Sequence, residues 1–147
     1  MTGVQTCALP ILVAQQGRLQ EALEIADRAV ARTAGDGAHP VATVASTRGD
    51  ILARMNRNQE AEVAFRNEIA RFPSTAEAYV RLALLLASEH RFSEIQPTLE
   101  AMVKASPKPA TYLLAAREMT DLGNDAAARE FRRRGERLAA EIRQAKR

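Results

Sequence analysis

Landmark residues in this sequence return at intervals of 34 positions. Four pairs have this separation: Pro73 and Pro107, Phe65 and Leu99, Ala61 and Ile95, and Leu52 and Leu86. A period of this length is typical of proteins in which copies of one supersecondary unit stack on one another. A chain of 147 residues therefore predicts a short repeat array.

Apolar residues three and four positions apart indicate two amphipathic helices in each unit. In the first unit, we predict the end of a helix at residues 12–16, followed by a helix over 19–32. In the later units, we predict a helix starting at Ser93 and helices over residues 41–55, 59–71, 75–89, 110–122 and 125–145. Tryptophan is absent and aromatic residues are 4%, so alanine and leucine must fill the core. This composition favours an all-α fold.

Several local signals suggest helix ends. Ser93 and Gln96 have the spacing of a capping box, and Pro97 is expected within the first turn of the same helix. Asp125 is the expected N-cap of the last helix. Residues 33–40, which include two glycines, are expected to form a loop.

Together these residues resemble the tetratricopeptide repeat family, over about residues 12–147. The matching positions are Gly17, Ala22 and Ala29 in the first unit; Gly49, Ala61, Phe65 and Pro73 in the second; Tyr79, Leu82, Ala83 and Pro107 in the third; and Gly123, Ala127 and Phe131 in the fourth. His90 stands where the family usually has glycine, and Glu68 where it has a small residue. The resemblance implies a right-handed superhelical stack of antiparallel helical hairpins, an α-solenoid of about four units (12–39, 40–75, 76–109 and 110–147), with the last helix as a polar cap.

The resemblance also implies a concave face, lined by the first helix of each unit, that binds a peptide or a partner protein. The candidate partner-binding residues on it are Thr43, Asp50, Arg54, Glu77, Arg81, Leu84, Ser88 and Leu114. A solvated helix surface is the alternative interpretation of these residues. One subgroup of the family clamps a C-terminal carboxylate, but only Arg81 matches its pattern here, since Ser46, Thr47, Asp50 and Glu77 occupy other positions of that clamp. We therefore expect no carboxylate clamp.

The net charge of +3 is concentrated at the C-terminus, where residues 125–147 hold eight basic and four acidic side chains. Arg132, Arg133 and Arg134 could contact phosphates or an acidic partner. Interleaved glutamates favour a solvated cap instead, with ion pairs such as Glu130–Arg134. No nucleic-acid partner is expected, because no stacking aromatics accompany these arginines.

Chemistry-bearing residues are sparse. Cys7 is the one cysteine, and His39 and His90 lie far apart, so neither a disulfide, a metal site nor a catalytic constellation is predicted. We expect no cofactor and no enzymatic activity. The longest uncharged apolar run, residues 8–14, is far too short for a membrane span, and no signal peptide is apparent, so the compartment stays open.

Residues 1–11 show no helical period and resemble a peptide that arises when sequencing-adapter DNA is translated. We expect them to be a non-native or disordered leader.

The sequence predicts a non-catalytic interaction scaffold that binds a peptide or partner protein in its groove. The alternative is a C-terminal regulatory or substrate-positioning segment of a larger, truncated enzyme. A third possibility is an RNA-binding or membrane-surface protein acting through its arginine-rich end.

Overall fold

The described residues of the chain are all-helical. A computed structural model describes residues 3–34 and 42–146, with side chains for 8–33 and 42–146, and holds no strand in these ranges. Its eight helices are α1 (Gly3–Gln15), α2 (Leu19–Ala34), α3 (Val44–Arg54), α4 (Asn58–Arg71), α5 (Ala76–Ser88), α6 (Phe92–Ala105), α7 (Pro109–Asp121) and α8 (Asp125–Ala145). The predicted all-α fold of helical hairpins is confirmed.

Two compact units make up the chain, Met1–Phe72 and Pro73–Arg147, and each holds two hairpins. In the first unit, α2 packs on α1 and α3, and α3 packs on α4. In the second unit, α6 packs on α5 and α7, and α7 packs on α8. Within each unit, the helices thus pack against their neighbours along the chain, as expected of stacked hairpins.

Alanines and branched aliphatic residues fill both cores, as the composition predicts. In the first unit, Phe65 and Leu52 are fully buried beside Ala22 and Ala61. In the second, Leu86, Leu99 and Phe131 are fully buried. Burying one such large side chain stabilises the fold by roughly 1.5–3 kcal/mol.

The four hairpin turns share one backbone motif. A residue with positive φ stands at each turn: Gly17 (77°), Asn56 (58°), His90 (60°) and Gly123 (78°). The next amide donates a hydrogen bond five residues back, from Arg57 to Leu52 and from Arg91 to Leu86, both at 2.9 Å. This is the Schellman closure, which satisfies the last carbonyls of the first helix. Glycine and asparagine adopt this conformation at low cost, whereas His90 adopts it against its steric preference.

These tight turns shift the helix starts away from the predicted caps. The N-cap of α6 is Arg91 and its first residue is Phe92, so the capping box of Ser93 and Gln96 does not form, and Pro97 lies beyond the first turn. The N-cap of α8 is Asn124, whose Oδ1 accepts a hydrogen bond from the Ala127 amide at 3.1 Å. Asp125 is therefore the first helical residue and not the cap.

An arginine–glutamate pair at the start of the second helix recurs in three hairpins. Arg57 donates to both carboxylate oxygens of Glu60 at 2.7 and 2.8 Å, and Arg91 does the same to Glu94 at 2.7 and 2.9 Å. Arg18 pairs with Glu21 in the first hairpin. The spacing Arg-x-x-Glu is visible in the sequence, but the predicted caps relied on hydroxyl and carboxylate residues and missed it.

The N-terminal segment differs from its sequence interpretation. Helix α1 begins at Gly3, inside the segment expected to be a disordered leader, and contains Pro10. Whether residues 1–11 are native stays a prediction. The expected loop over 33–40 falls mostly on residues outside the described ranges, and His39 lies there as well.

Candidate peptide-binding face

Helix α5 presents four of the candidate residues along one stripe. Glu77, Arg81, Leu84 and Ser88 follow the spacing i, i+4, i+7, i+11, and all are at least partly exposed. Arg81 and Glu77 form an ion pair at 3.3 Å, and the Ser88 hydroxyl donates to the Leu85 carbonyl at 2.7 Å. Leu84 is 44% exposed, which is high for a leucine on a packed helix. The stripe therefore combines charges of both signs with one accessible apolar side chain.

Helix α7 adds a second apolar group. The candidate Leu114 is half-buried, and its neighbour Leu113, which the sequence interpretation missed, is 51% exposed. The sequence feature that could have identified Leu113 as a candidate is its position next to Leu114. Arg117 and Asp121 form a long ion pair at 3.7 Å on the same helix.

Glu118 is the electrostatically unusual residue of α7. Burial raises the pKa of its carboxyl, the nearby Asp121 raises that pKa further, and Arg117 partly offsets both effects. Aligned on the turn residues, Glu118 corresponds to Leu85 in α5 and Ile51 in α3, which are both buried apolar residues. A carboxylate thus stands at a position that the other hairpins fill with hydrocarbon.

The remaining candidates lie on α3 in the first unit. Asp50 is half-buried and Arg54 is exposed. Thr43 is the N-cap of α3 and adopts a left-handed conformation. Its amide donates to the Glu68 carboxylate at 2.5 Å, and the Ala45 amide donates to the other oxygen of the same carboxylate at 3.2 Å. Thr43 therefore takes part in holding the start of α3.

Two of the positions weighed for a carboxylate clamp are buried. Thr47 donates its hydroxyl to the Thr43 carbonyl at 2.8 Å. Ser46 is 2% exposed, and its Oγ has no hydrogen-bond partner among the described residues.

The arginines of α8 make different ion pairs from those predicted. Glu130 pairs with Arg133 at 2.6 Å rather than with Arg134. Arg134 instead reaches Glu100 on α6 at 2.7 Å and lies over the rings of Tyr112 and Phe131, 5.1 and 5.5 Å from their centroids. Hydrogen bonding to Glu100 raises the pKa of Arg134. Arg134 is thus part of the packing between α6, α7 and α8, while Arg132 and Arg133 are exposed.

A metal site needs several ligating side chains close together. Within residues 3–34 and 42–146, no three His, Cys, Asp or Glu side chains are grouped so that they could hold a metal ion. His90 lies at a turn, with its ring edge-on to Phe92 at 5.8 Å. None of the described helices combines the length and the hydropathy needed to cross a bilayer.

No protein-family model and no curated protein matches this sequence. Solved structures do match. MamA superposes with a TM-score of 0.61 at 19% identity, over 99% of this chain and 82% of that protein. A MamA fragment from Desulfovibrio magneticus RS-1 gives 0.59 at 15% identity, over 95% and 77%. A tetratricopeptide repeat protein from Parabacteroides merdae gives 0.63 at 13% identity, over 88% of this chain and 50% of that one. At such identities the similarity concerns the fold alone, and this chain has a tetratricopeptide-like, all-helical fold.

Proposed function

We propose that this protein is a non-catalytic interaction scaffold and that the exposed faces of α5 and α7 bind a peptide segment of a partner protein. The observation that carries the proposal is the exposure of Leu84 and Leu113, at 44% and 51%, on the first helices of the two hairpins in the second unit. A contiguous apolar patch rimmed by polar groups is typical of an interaction site, and we propose that these two leucines contribute to one.

Charges beside these leucines would add selectivity. Glu77 and Arg81 on α5 lie on the same stripe as Leu84, and Arg117 and Asp121 lie on α7. Surface pairs of this kind contribute little to stability. They can, however, exchange their partners for those of a peptide, which gives orientation and selectivity more than affinity.

Site-specific photo-crosslinking in the native host tests the proposal. A photoreactive residue at Leu84 or Leu113 should yield adducts with a defined protein, whereas one at Ala101, which is exposed on α6, should not. The crosslinked segment, synthesised as a peptide, should then bind the purified protein. Leu84→Asp should weaken that binding by about tenfold, the usual effect of removing a buried apolar contact at an interface.

Equal crosslinking from all three positions, or binding that Leu84→Asp leaves unchanged, would refute the assignment to this face. The α3 residues Thr43, Asp50 and Arg54 stay proposed contacts of a partner. The alternative of a regulatory segment in a larger enzyme also stays a hypothesis.

A further inference from the structure

A groove of about 480 Å³ lies in the first unit, on a surface separate from the proposed peptide-binding face. It runs between α2 and α4, with α3 at its base. Its apolar lining comes mainly from small side chains, among them Val30, Ala45, Ala64 and Ala70.

The 34-residue period shows how the lining of this groove differs from the next hairpin. Ala45 corresponds to Tyr79 in the next hairpin, where the ring is buried and its hydroxyl donates to the Pro73 carbonyl at 3.0 Å. Arg48 likewise corresponds to Leu82, which is also buried. The Ala45 methyl group thus stands where the next hairpin has a buried ring, which leaves room beside it. The Arg48 guanidinium brings a charge to a position that the next hairpin fills with a buried leucine.

Two guanidinium groups line the groove and keep N–H donors that can bind a ligand. Arg48 donates its Nε to Asp27 at 2.5 Å, which leaves most of its five N–H groups for other acceptors. Arg71 lies over the Phe72 ring, 5.8 Å from its centroid, and donates to the Thr33 carbonyl at 3.3 Å. Among the described residues, no carboxylate pairs with Arg71. Asn67 adds an amide to the same wall.

This combination of groups selects one kind of ligand. A guanidinium binds a carboxylate through two parallel hydrogen bonds, and the alanine lining offers an apolar surface to aliphatic side chains. Asp27 is about half exposed at the rim and would repel a polyanion, and no described residue of the groove lining has an aromatic ring on which a nucleobase could stack. An acidic peptide therefore fits better than a nucleic acid.

We propose that the α2–α4 groove is a second docking site, which binds a short acidic segment of a partner protein. A carboxylate of the segment binds Arg71 and the remaining donors of Arg48, and the aliphatic side chains of the segment lie on the alanine lining. The site goes beyond the proposed function, because it uses other helices and a different ligand chemistry.

Methyl NMR of the full chain, with ¹³C-labelled alanine, tests this proposal. The probes are acetylated and amidated peptides of sequence AEAVEA, AQAVQA and AKAVKA, together with free succinate. AEAVEA should shift the methyl signals of Ala45, Ala64 and Ala70 and leave that of Ala101 on α6 unchanged. The glutamine and lysine peptides should not shift these signals. Raising the salt concentration should weaken the binding of the acidic peptide.

Two variants assign the site. Arg71→Gln should raise the Kd for AEAVEA by about tenfold, since it removes a charge-assisted hydrogen bond. The matched control is Arg66→Gln, which removes the same charge from the same helix at a residue that pairs with Glu62. The Kd of this control variant for AEAVEA should stay within about twofold of the parent value, because a distant surface charge contributes little to binding. Ala45→Tyr, which copies the next repeat, should abolish binding, and circular dichroism checks its folding.

The proposal is overturned if AEAVEA shifts no groove methyl, if Arg71→Gln leaves its Kd unchanged, or if succinate binds as tightly as the peptide. Should Ala45→Tyr not fold, the arginine variants decide alone. Leu84→Asp should leave AEAVEA binding intact, so this site and the α5–α7 face can fail independently.

Discussion

At the scale of single residues, the repeat shows how two positions depend on each other. Gly49 lies in the middle of α3, and a Cβ added there would stand 2.6 Å from the Cε1 atom of Phe65. The equivalent positions 34 residues later hold Ala83 and Leu99, both fully buried. Where α5 has the larger alanine in place of glycine, α6 thus has the smaller leucine in place of phenylalanine. The sequence identified all four residues as positions of the repeat, but not that their sizes are matched.

We expect Gly49→Ala to destabilise the protein. Overpacking against the buried ring should cost about 1–3 kcal/mol, which the better helix propensity of alanine offsets by at most about 1 kcal/mol. The double variant Gly49→Ala/Phe65→Leu copies the next repeat, so it should lose less stability than the sum of the two single variants. Urea unfolding followed by circular dichroism measures all three. Strict additivity would contradict the matched-size interpretation.

At the scale of elements, the turns decide where helices start. A Schellman closure leaves one residue with positive φ between two helices, so the residue after it is already the N-cap of the second helix. The predicted cap at Ser93 is therefore wrong by two positions, since the N-cap is Arg91. The predicted cap at Asp125 is wrong by one, since the N-cap is Asn124. Sequence patterns identified the turns at Gly17, residues 56–58, His90 and Gly123, but hydroxyl-based capping rules do not anticipate an arginine at the N-cap.

Glu68 holds the start of α3 from a neighbouring helix. It is 1% exposed, and its carboxylate accepts hydrogen bonds from the Thr43 and Ala45 amides. The sequence identified Glu68 only as a departure from the family pattern. Its role depends on the packing of α4 against α3, which no local pattern encodes.

Glu68→Ala should lower the free energy of unfolding by about 1–3 kcal/mol, because two partly buried amide donors lose their acceptor. Glu68→Gln keeps one acceptor oxygen and should lose less. Hydrogen exchange at the Thr43 and Ala45 amides should accelerate more than exchange in α8, which serves as the internal control. Uniform acceleration in both helices would show that the carboxylate does not act locally on α3.

At the scale of the whole molecule, two carboxylates should affect stability in opposite directions with pH. Burial raises the pKa of Glu118, so its ionisation disfavours the folded state, and the protein regains stability as pH falls through that raised value. The hydrogen bond from Arg57 lowers the pKa of Glu60, so its contribution is present above the unfolded pKa and is lost as pH falls through the folded value.

Glu118→Gln should therefore be more stable than the parent protein near neutral pH, and Glu60→Gln less stable. The Glu118→Gln difference should shrink as pH falls through the raised pKa of Glu118 and be gone by about pH 4, where an unfolded glutamate is protonated. The Glu60→Gln difference should persist to that pH and be lost below it, as pH falls through the lowered pKa of Glu60. Urea unfolding at several pH values, followed by circular dichroism because tryptophan is absent, measures this dependence. A Glu118→Gln variant that is less stable than the parent protein at neutral pH would contradict the burial argument.

The sequence by itself determined the helix content, the hairpin period and most of the core, because amphipathic spacing and turn residues are local properties. The candidate contacts, Leu84 among them, followed from the resemblance to the repeat family and stay a prediction. Only the tertiary structure decided which polar groups meet across helices, such as Glu68 with the α3 amides and Arg134 with Glu100. It also decided where volume is left unfilled beside Ala45, since packing between helices depends on side chains that lie far apart along the chain.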